Sequence, residues 1–325
     1  MQLNNLFSIK TAADFEKLAL ISFKHQAKSN LVYKQFLSYL NTDINTIKST
    51  QEIPFLPIQF FKSHTIISGI NSVEQTFSSS GTTGNLTSKH YVTDISLYEK
   101  SYISTFEQFY GNIEDYTILA LLPSYLDRDG SSLIFMVNDL IQRSKKSKSG
   151  FYLDNLSDLK KTLIDLDANG ERVLLIGVSF ALLDLIESYT FKLKNTIVME
   201  TGGMKGRRKE LIRSELHTEL KKGFGVSNIH SEYGMTELLS QAYSNGNGIF
   251  KTPPWMKIMV RDTDDALTFL PNRKTGGINI IDLANFNSCS FIASQDLGKT
   301  YADGTFEILG RFDHSDIRGC NLLID

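Results

Sequence analysis

The chain has 325 residues, 41% of them apolar and 22% charged, with a formal net charge of −2. That length gives a sizeable core in one large α/β domain or two modest ones. A charge so near zero gives no general attraction to nucleic acid or anionic membrane, and no run approaches the ~20 apolar residues of a membrane span.

In chain order, Thr11 or Asp14 can cap a helix running to about Lys28, and Leu31 to Leu40 reads as a second helix. Pro54 to His64 is expected to be an extended connector, because its prolines fix φ. Ser72 to Phe77 reads as a strand rising into a glycine-bearing loop. From Asp94 the pattern alternates. Helices are expected over Ile95 to Phe109, Ser131 to Arg143, Leu156 to Ala168, Phe180 to Tyr189 and Lys205 to Lys222. Between them, Tyr116 to Leu122, Arg172 to Val178, Asn195 to Glu200 and Val226 to Ser231 read as buried strands. Such alternation implies right-handed crossovers and a parallel sheet. After about Phe250 short strands are expected at Met256 to Arg261, Gly277 to Asp282, Ser288 to Ala293 and Gly304 to Leu309. The fold class is therefore α/β, a parallel sheet flanked by helices plus a smaller β-rich C-terminal lobe. It divides into a helical opening (1–70), a nucleotide-binding core (71–250) and the β-rich lobe (251–325), all within one domain.

Chemistry concentrates in the loop Ser79-Ser80-Gly81-Thr82-Thr83-Gly84, followed by Lys89 and His90. Glycines let the backbone turn its N–H groups inward, hydroxyls add donors without bulk, and Lys89 supplies a point charge. The loop matches neither GxxxxGK[ST] nor GxGxxG. It reads as a phosphate cradle; a flexible Ser/Gly linker is the alternative. Tyr233-Gly234-Met235-Thr236-Glu237 follows a strand, where α/β folds bind ligands; its glutamate can hold Mg²⁺ through oxygen, and a turn followed by a capped helix explains the motif nearly as well. Thr201-Gly202-Gly203 likewise follows a strand. Asp296 at an expected strand end can accept hydrogen bonds from ribose hydroxyls, and Arg311 can add a donor, although a surface loop or salt bridge explains each singly.

In this order and spacing the motifs resemble the adenylate-forming superfamily of acyl-CoA synthetases, adenylation domains and luciferases, from about Pro54 onward. Within it the chain is most similar to the bacterial acyl-protein synthetases (LuxE-like). The shared features are its shortness, the Pro54 to His64 segment, Gly202-Gly203-Met204-Lys205-Gly206-Arg207-Arg208, and the ending Arg318-Gly319-Cys320-Asn321-Leu322-Leu323. The resemblance implies a fold, an activity and cofactors: the adenylate-forming large domain, using ATP and Mg²⁺ to turn a fatty or other hydrophobic acid into an acyl-adenylate. It implies that Ser79, Ser80, Gly81, Thr82, Thr83 and Gly84 hold the β- and γ-phosphates, that Thr236 contacts the α-phosphate and that Glu237 ligates Mg²⁺. Gly202, Gly203, Tyr233 and Gly234 would line the adenine side, Asp296 and Arg311 would bind ribose, and Cys320 would receive the acyl group for transfer to a partner protein such as a reductase or carrier.

Larger superfamily members carry a further C-terminal domain that brings a lysine to the α-phosphate. This chain stops at Asp325, so that domain is expected to be absent. Lys62, His64, Lys89, His90 and Lys205 are the candidates to replace its charge. With two cysteines, Cys289 and Cys320, and no CxxC pair, a reduced cytoplasmic setting is expected. Two other readings stay open: an ATP-independent acyltransferase, and a non-catalytic nucleotide-binding subunit of a larger synthase.

Overall fold

A computed structural model describes residues 3–79, 87–122, 130–153, 155–202, 208 and 211–312. The N-terminal part is helical: α1 (Ala12–Ser29) and α2 (Leu31–Tyr39). Thr11 and Asp14 share the start of α1 as a capping box, each side chain accepting from the other's backbone N–H. The proline-containing connector is not uniformly extended. It holds the two-residue strand β1 (Leu56–Pro57) and a single helical turn, α3 (Phe60–Ser63), which begins after the second proline, where φ is no longer constrained.

Next comes an antiparallel hairpin of β2 (Gln75–Ser78) and β3 (Lys89–Val92). The second of these strands was not expected; Lys89 and His90 read as loop because two charged or polar residues open it. Then α4 (Ile95–Tyr110), β4 (Thr117–Leu121), α5 (Ser132–Ser144), β5 (Gly150–Phe151), α6 (Leu156–Ala168), β6 (Val173–Val178), α7 (Ser179–Ser188), β7 (Thr196–Thr201), α8 (Arg213–Phe224) and β8 (His230–Tyr233) alternate. The all-apolar runs did become strands buried along their whole length, β4 and β6. Two boundaries moved. The helix expected from Lys205 starts at Arg213, and the strand expected from Val226 starts at His230, so Tyr233 ends the strand rather than following it.

The remaining strands are β9 (Ala242–Ser244), β10 (Phe250–Lys251), β11 (Met256–Arg261), β12 (Gly276–Asp282), β13 (Phe291–Thr300) and β14 (Phe306–Arg311). Strand β13 begins and ends later than expected, so Asp296 lies mid-strand, paired in register with Arg311. Among the described residues the strands form one 12-stranded sheet in the order β11-β12-β13-β14-β10-β9-β8-β7-β6-β4-β5, with β1 alongside β13, plus the separate hairpin. From β8 to β5 the pairing is parallel; from β8 to β11 it is antiparallel. The β-rich part thus continues the parallel half through β9 and β10.

The helical opening packs on that β-rich part. The buried Gln26 amide donates to the carbonyls of Asn285 and Phe286 at 3.0 and 2.9 Å. Asn30 donates to the Ser288 carbonyl at 3.0 Å, and Phe23 meets Phe291 edge-on.

Candidate functional site

The strands of the hairpin β2–β3 bracket the Ser/Thr/Gly segment in sequence, and Ser79 and Ser88 are its described ends. Ser79 closes the neck: its N–H donates to the Ser88 carbonyl at 3.0 Å, and its hydroxyl accepts from the Ser88 N–H at 2.9 Å. The hairpin is docked on the start of α5 by the Ser78 N–H, which donates to the Gly130 carbonyl at 2.8 Å. Ser80, Gly81, Thr82, Thr83 and Gly84 lie outside the described residues, as do Gly203, Lys205 and Cys320.

Beside the neck, Lys62, His64 and Lys89 line a cleft of about 390 Å³. Lys89 is exposed at its edge, and the next residue is not: His90 is fully buried. Its ring meets Phe61 edge-on, and Nδ1 donates to the Thr236 carbonyl at 2.9 Å. A carbonyl only accepts, so Nδ1 carries the proton and Nε2 is bare; Nε2 is buried with no partner. Burial pulls the pKa of His90 down to about 4, although the Thr236 carbonyl opposes this. His90 is therefore neutral at pH 7 and holds Thr236 in place, while among the described residues Lys62 and Lys89 line the adjacent cleft.

Glu237 is buried 6% exposed at the same spot. Burial raises its pKa, with the Ser88 hydroxyl, Arg311 and Lys62 offsetting part of the rise. Its own backbone carbonyl accepts from Asn285 Nδ2 at 2.8 Å. The segment beyond it is pinned by Asp282, which accepts from the Leu239 N–H (2.8 Å), the Ser240 hydroxyl (2.6 Å) and the Ala284 N–H (3.1 Å). No helix forms here: side chains from the end of β12 satisfy the backbone instead. Asp282 and Asn285 escaped the sequence reading. The one available signal was an Asp closing the apolar run Ile278 to Ile281.

On the other side of the motif, the Tyr233 hydroxyl donates to Asp296 Oδ2 at 2.7 Å, and Arg311 Nε stands 3.8 Å from Oδ1. Strands β8 and β13 are four steps apart in the sheet, about 19 Å if it were flat. The short contact means that the sheet curls back on itself and brings Asp296 to Tyr233. Burial lifts the Asp296 carboxyl above its usual range, and Tyr233, Arg311, Arg213 and Arg261 offset part of that. Gly202 follows β7 with φ +64, and its carbonyl accepts from the Ser179 hydroxyl at 3.0 Å. A Cβ on Gly234 would come within 2.4 Å of Glu232 Oε1, so that carboxyl would have to shift.

Four of the expected site residues are thus joined in pairs: His90 to Thr236 and Tyr233 to Asp296. Glu237 and Arg311 stand within electrostatic reach of each other, and Ser88, not singled out from sequence, links the loop neck to Glu237.

No protein-family profile matches the sequence, and no curated protein sequence matches it. Solved structures do match. 2-Hydroxyisobutyryl-CoA ligase in the postadenylation state aligns with TM-score 0.67 at 10% identity, over 95% of this chain and 70% of that one. The chain has the fold of the adenylate-forming enzymes. ATP-bound MatB from Rhodopseudomonas palustris aligns at 0.56 and 18% identity, over 75% of this chain and 49% of that one. The O-succinylbenzoate coenzyme A synthetase MenE from Bacillus subtilis, in complex with AMP, aligns at 0.50 and 18%, over 76% and 50%. The chain spans about half the length of MatB and MenE. Among the described residues no helix is long and apolar enough to cross a membrane.

Proposed function

We propose that this chain activates a carboxylic acid with ATP, releasing pyrophosphate and forming an acyl-adenylate. The acyl group then passes to the Cys320 thiol and onward to an acyl-accepting protein such as a reductase or carrier. One observation carries the adenylation half. Three segments far apart in sequence, at 79–90, 233–237 and 296–311, converge through Ser88–Glu237, His90–Thr236 and Tyr233–Asp296–Arg311. They do so in a fold whose solved examples include MatB with ATP and 2-hydroxyisobutyryl-CoA ligase with an acyl-AMP.

A carboxylate is a poor electrophile because its leaving group would be oxide. In the proposed first step a carboxylate oxygen attacks the α-phosphorus. The bond from that phosphorus to the bridging oxygen breaks, and pyrophosphate leaves with the electron pair. The barrier is largely repulsion between two anions, so the protein's task is charge and orientation. The Ser79 to Gly84 loop and Lys89 hold the phosphates, the Thr236 hydroxyl orients the α-phosphate, and buried His90 keeps Thr236 rigid. Asp296 keeps Oδ1 open to ribose hydroxyls because Tyr233 occupies Oδ2, and Gly202, Gly203 and Gly234 allow the base a close approach. Glu237 suits Mg²⁺: a buried carboxylate with a raised pKa is under-compensated, and one carboxylate plus phosphate oxygens is an ordinary magnesium set. The ion, when bound, would offset phosphate charge.

In the second step the Cys320 thiolate attacks the acyl carbonyl, AMP leaves, and a thioester forms. The other cysteine supports this choice by exclusion. Cys289 is fully buried, its thiol faces the Phe291 carbonyl at 3.5 Å, and burial pushes its pKa up to about 12.

Intact-mass measurement after incubation with ATP, Mg²⁺ and a panel of acids tests both steps. An acyl adduct on the wild type and none on Cys320→Ser, with AMP and pyrophosphate from both, is the expected result. Absence of pyrophosphate exchange across the panel overturns the adenylation reading. Labelling by acyl-CoA without ATP would replace it with an acyltransferase.

A further inference from the structure

Strand β8 carries an acid that the proposed adenylation does not use. Glu232 immediately precedes Tyr233, so the two side chains leave opposite faces of the sheet. Glu232 stands in a cross-strand row with its register partners Thr201 of β7 and Tyr243 of β9. It is 8% exposed. Thr201 Oγ1 donates to Oε2 at 2.5 Å. Oε1 has no donor among the described residues and stands where a Cβ on Gly234 would meet it, 2.4 Å away.

Gln241 reaches the same place. Its Cγ would sit 3.4 Å from a Cβ on Gly234, beyond the Glu232 Oε1 at 2.4 Å. Gln241 Oε1 is buried and has no hydrogen-bond partner. The nearby phenol of Tyr98 does not fill the gap, because its proton goes to the Ser132 carbonyl at 3.0 Å. No cation compensates Glu232 among the described residues. Besides burial, the groups acting on it are the Thr201 hydroxyl and a second carboxylate, Glu200. A buried acceptor without a donor, Gln241 Oε1, near a carboxyl served by a single hydroxyl, Glu232, is costly, and native proteins rarely leave such groups unexplained. Their position explains them. They flank Gly234, two residues from Thr236, on the side of the strand that Tyr233 and Asp296 do not occupy. If the α-phosphorus is held at Thr236, as proposed above, the substituents of the attacking acid would reach this side.

We propose that Glu232 and Gln241 select the acid, and that the substrate is a carboxylic acid bearing a hydrogen-bond donor, a hydroxyl or a protonated amine, docked between their two free oxygens. This deepens the adenylation reading and rests on it. It also turns the expected substrate away from a plain fatty acid, because an alkyl chain would leave both acceptors unpaired.

The test is ATP–pyrophosphate exchange with butanoate, the hydroxybutanoates and the aminobutanoates, substituted at each carbon in turn. A donor-bearing acid is expected to exceed butanoate by at least about tenfold in kcat/KM. Glu232→Gln keeps an acceptor and loses the charge, so it should lower the amino preference while keeping the hydroxyl preference if the donor is a hydroxyl. Glu232→Leu should erase both and improve butanoate. Gln241→Leu, which lies outside the strand, serves if Glu232→Leu fails to fold. The proposal is overturned if wild type uses butanoate as well as any substituted acid, or if Glu232→Leu and Gln241→Leu leave the ratios unchanged. A thermal-shift series with the same acids and AMP separates the two readings. Exchange with butanoate alone leaves adenylation standing and removes this proposal. No exchange at all, with donor-bearing acids still raising the unfolding midpoint in wild type and not in Glu232→Leu, removes adenylation and keeps the site.

Discussion

Glu232 and Tyr233 are neighbours on one strand, and the two faces they serve are built on opposite plans. On the Tyr233 face a partly buried carboxylate, Asp296, is met by a phenol and by the field of three arginines. On the Glu232 face a buried carboxyl has one hydroxyl, a second carboxylate and the phenols of Tyr98, Tyr110 and Tyr243 around it. Burial raises both acids. What differs is compensation, and it leaves Glu232 pushed up to about 7. The compensated face holds its shape without help; the other is short of donors and positive charge, which is what a ligand can bring.

The sharpest way to break this comparison is at the residue between the faces and the phosphates. Glu237→Gln should lower acyl-adenylate formation about a hundredfold and weaken its dependence on Mg²⁺, with an unchanged circular dichroism spectrum. Activity within a few-fold of wild type would remove Glu237 as a ligand.

Stability against pH comes next. The folded pKa of Glu232, about 7, lies above its ordinary 4.5. Between those values the folded chain keeps a proton that the unfolded chain releases. Stability from this group is therefore full below about 4.5 and falls by about 3 kcal/mol as pH rises to 7. His90 runs the other way. Its folded pKa of about 4 lies below the ordinary 6.5, so stability is lost, again by about 3 kcal/mol, as pH falls from 6.5 towards 4. The two offset each other in wild type. Urea unfolding of Glu232→Gln should expose a steeper loss below pH 6.5; a profile identical to wild type would mean that Glu232 is not the uncompensated group described here.

Smaller effects belong to the compensated face. Tyr233→Phe removes one donor from Asp296 and should cost about 1 kcal/mol in stability, with a several-fold rise in the KM for ATP. Arg311→Ala should be the mildest for folding. Its side chain is largely exposed and 3.8 Å from Asp296, so stability should stay within about 0.5 kcal/mol while ATP binding weakens. If Arg311→Ala destabilises the chain as much as Tyr233→Phe, the arginines serve the fold rather than a ligand.

Much of this was legible along the chain. The helix at Leu156–Ala168 and the strand at Met256–Arg261 have the bounds expected of them, since each shows its periodicity within its own few residues. The motif at Tyr233 to Glu237 was visible as a turn after a strand. The hydrogen bonds that hold it were not, because they come from Asp282, Asn285 and His90, which lie far away in sequence and look like ordinary polar residues there. Glu232 was passed over for the same reason: one acid beside a glycine motif carries no mark of burial.

The sequence by itself determined the alternation of buried strands and helices, the glycine-bearing loop and the order of the motifs, because hydrophobic period, capping and turn chemistry act over a few residues. Only the tertiary structure decided which groups meet. Tyr233 reaches Asp296 because the sheet curls. Glu232 and Tyr233 part company because a strand alternates its side chains, and which face then meets cations and which meets phenols depends on what other strands and helices bring there. Those partners stand tens to hundreds of residues away, beyond the range of any local pattern.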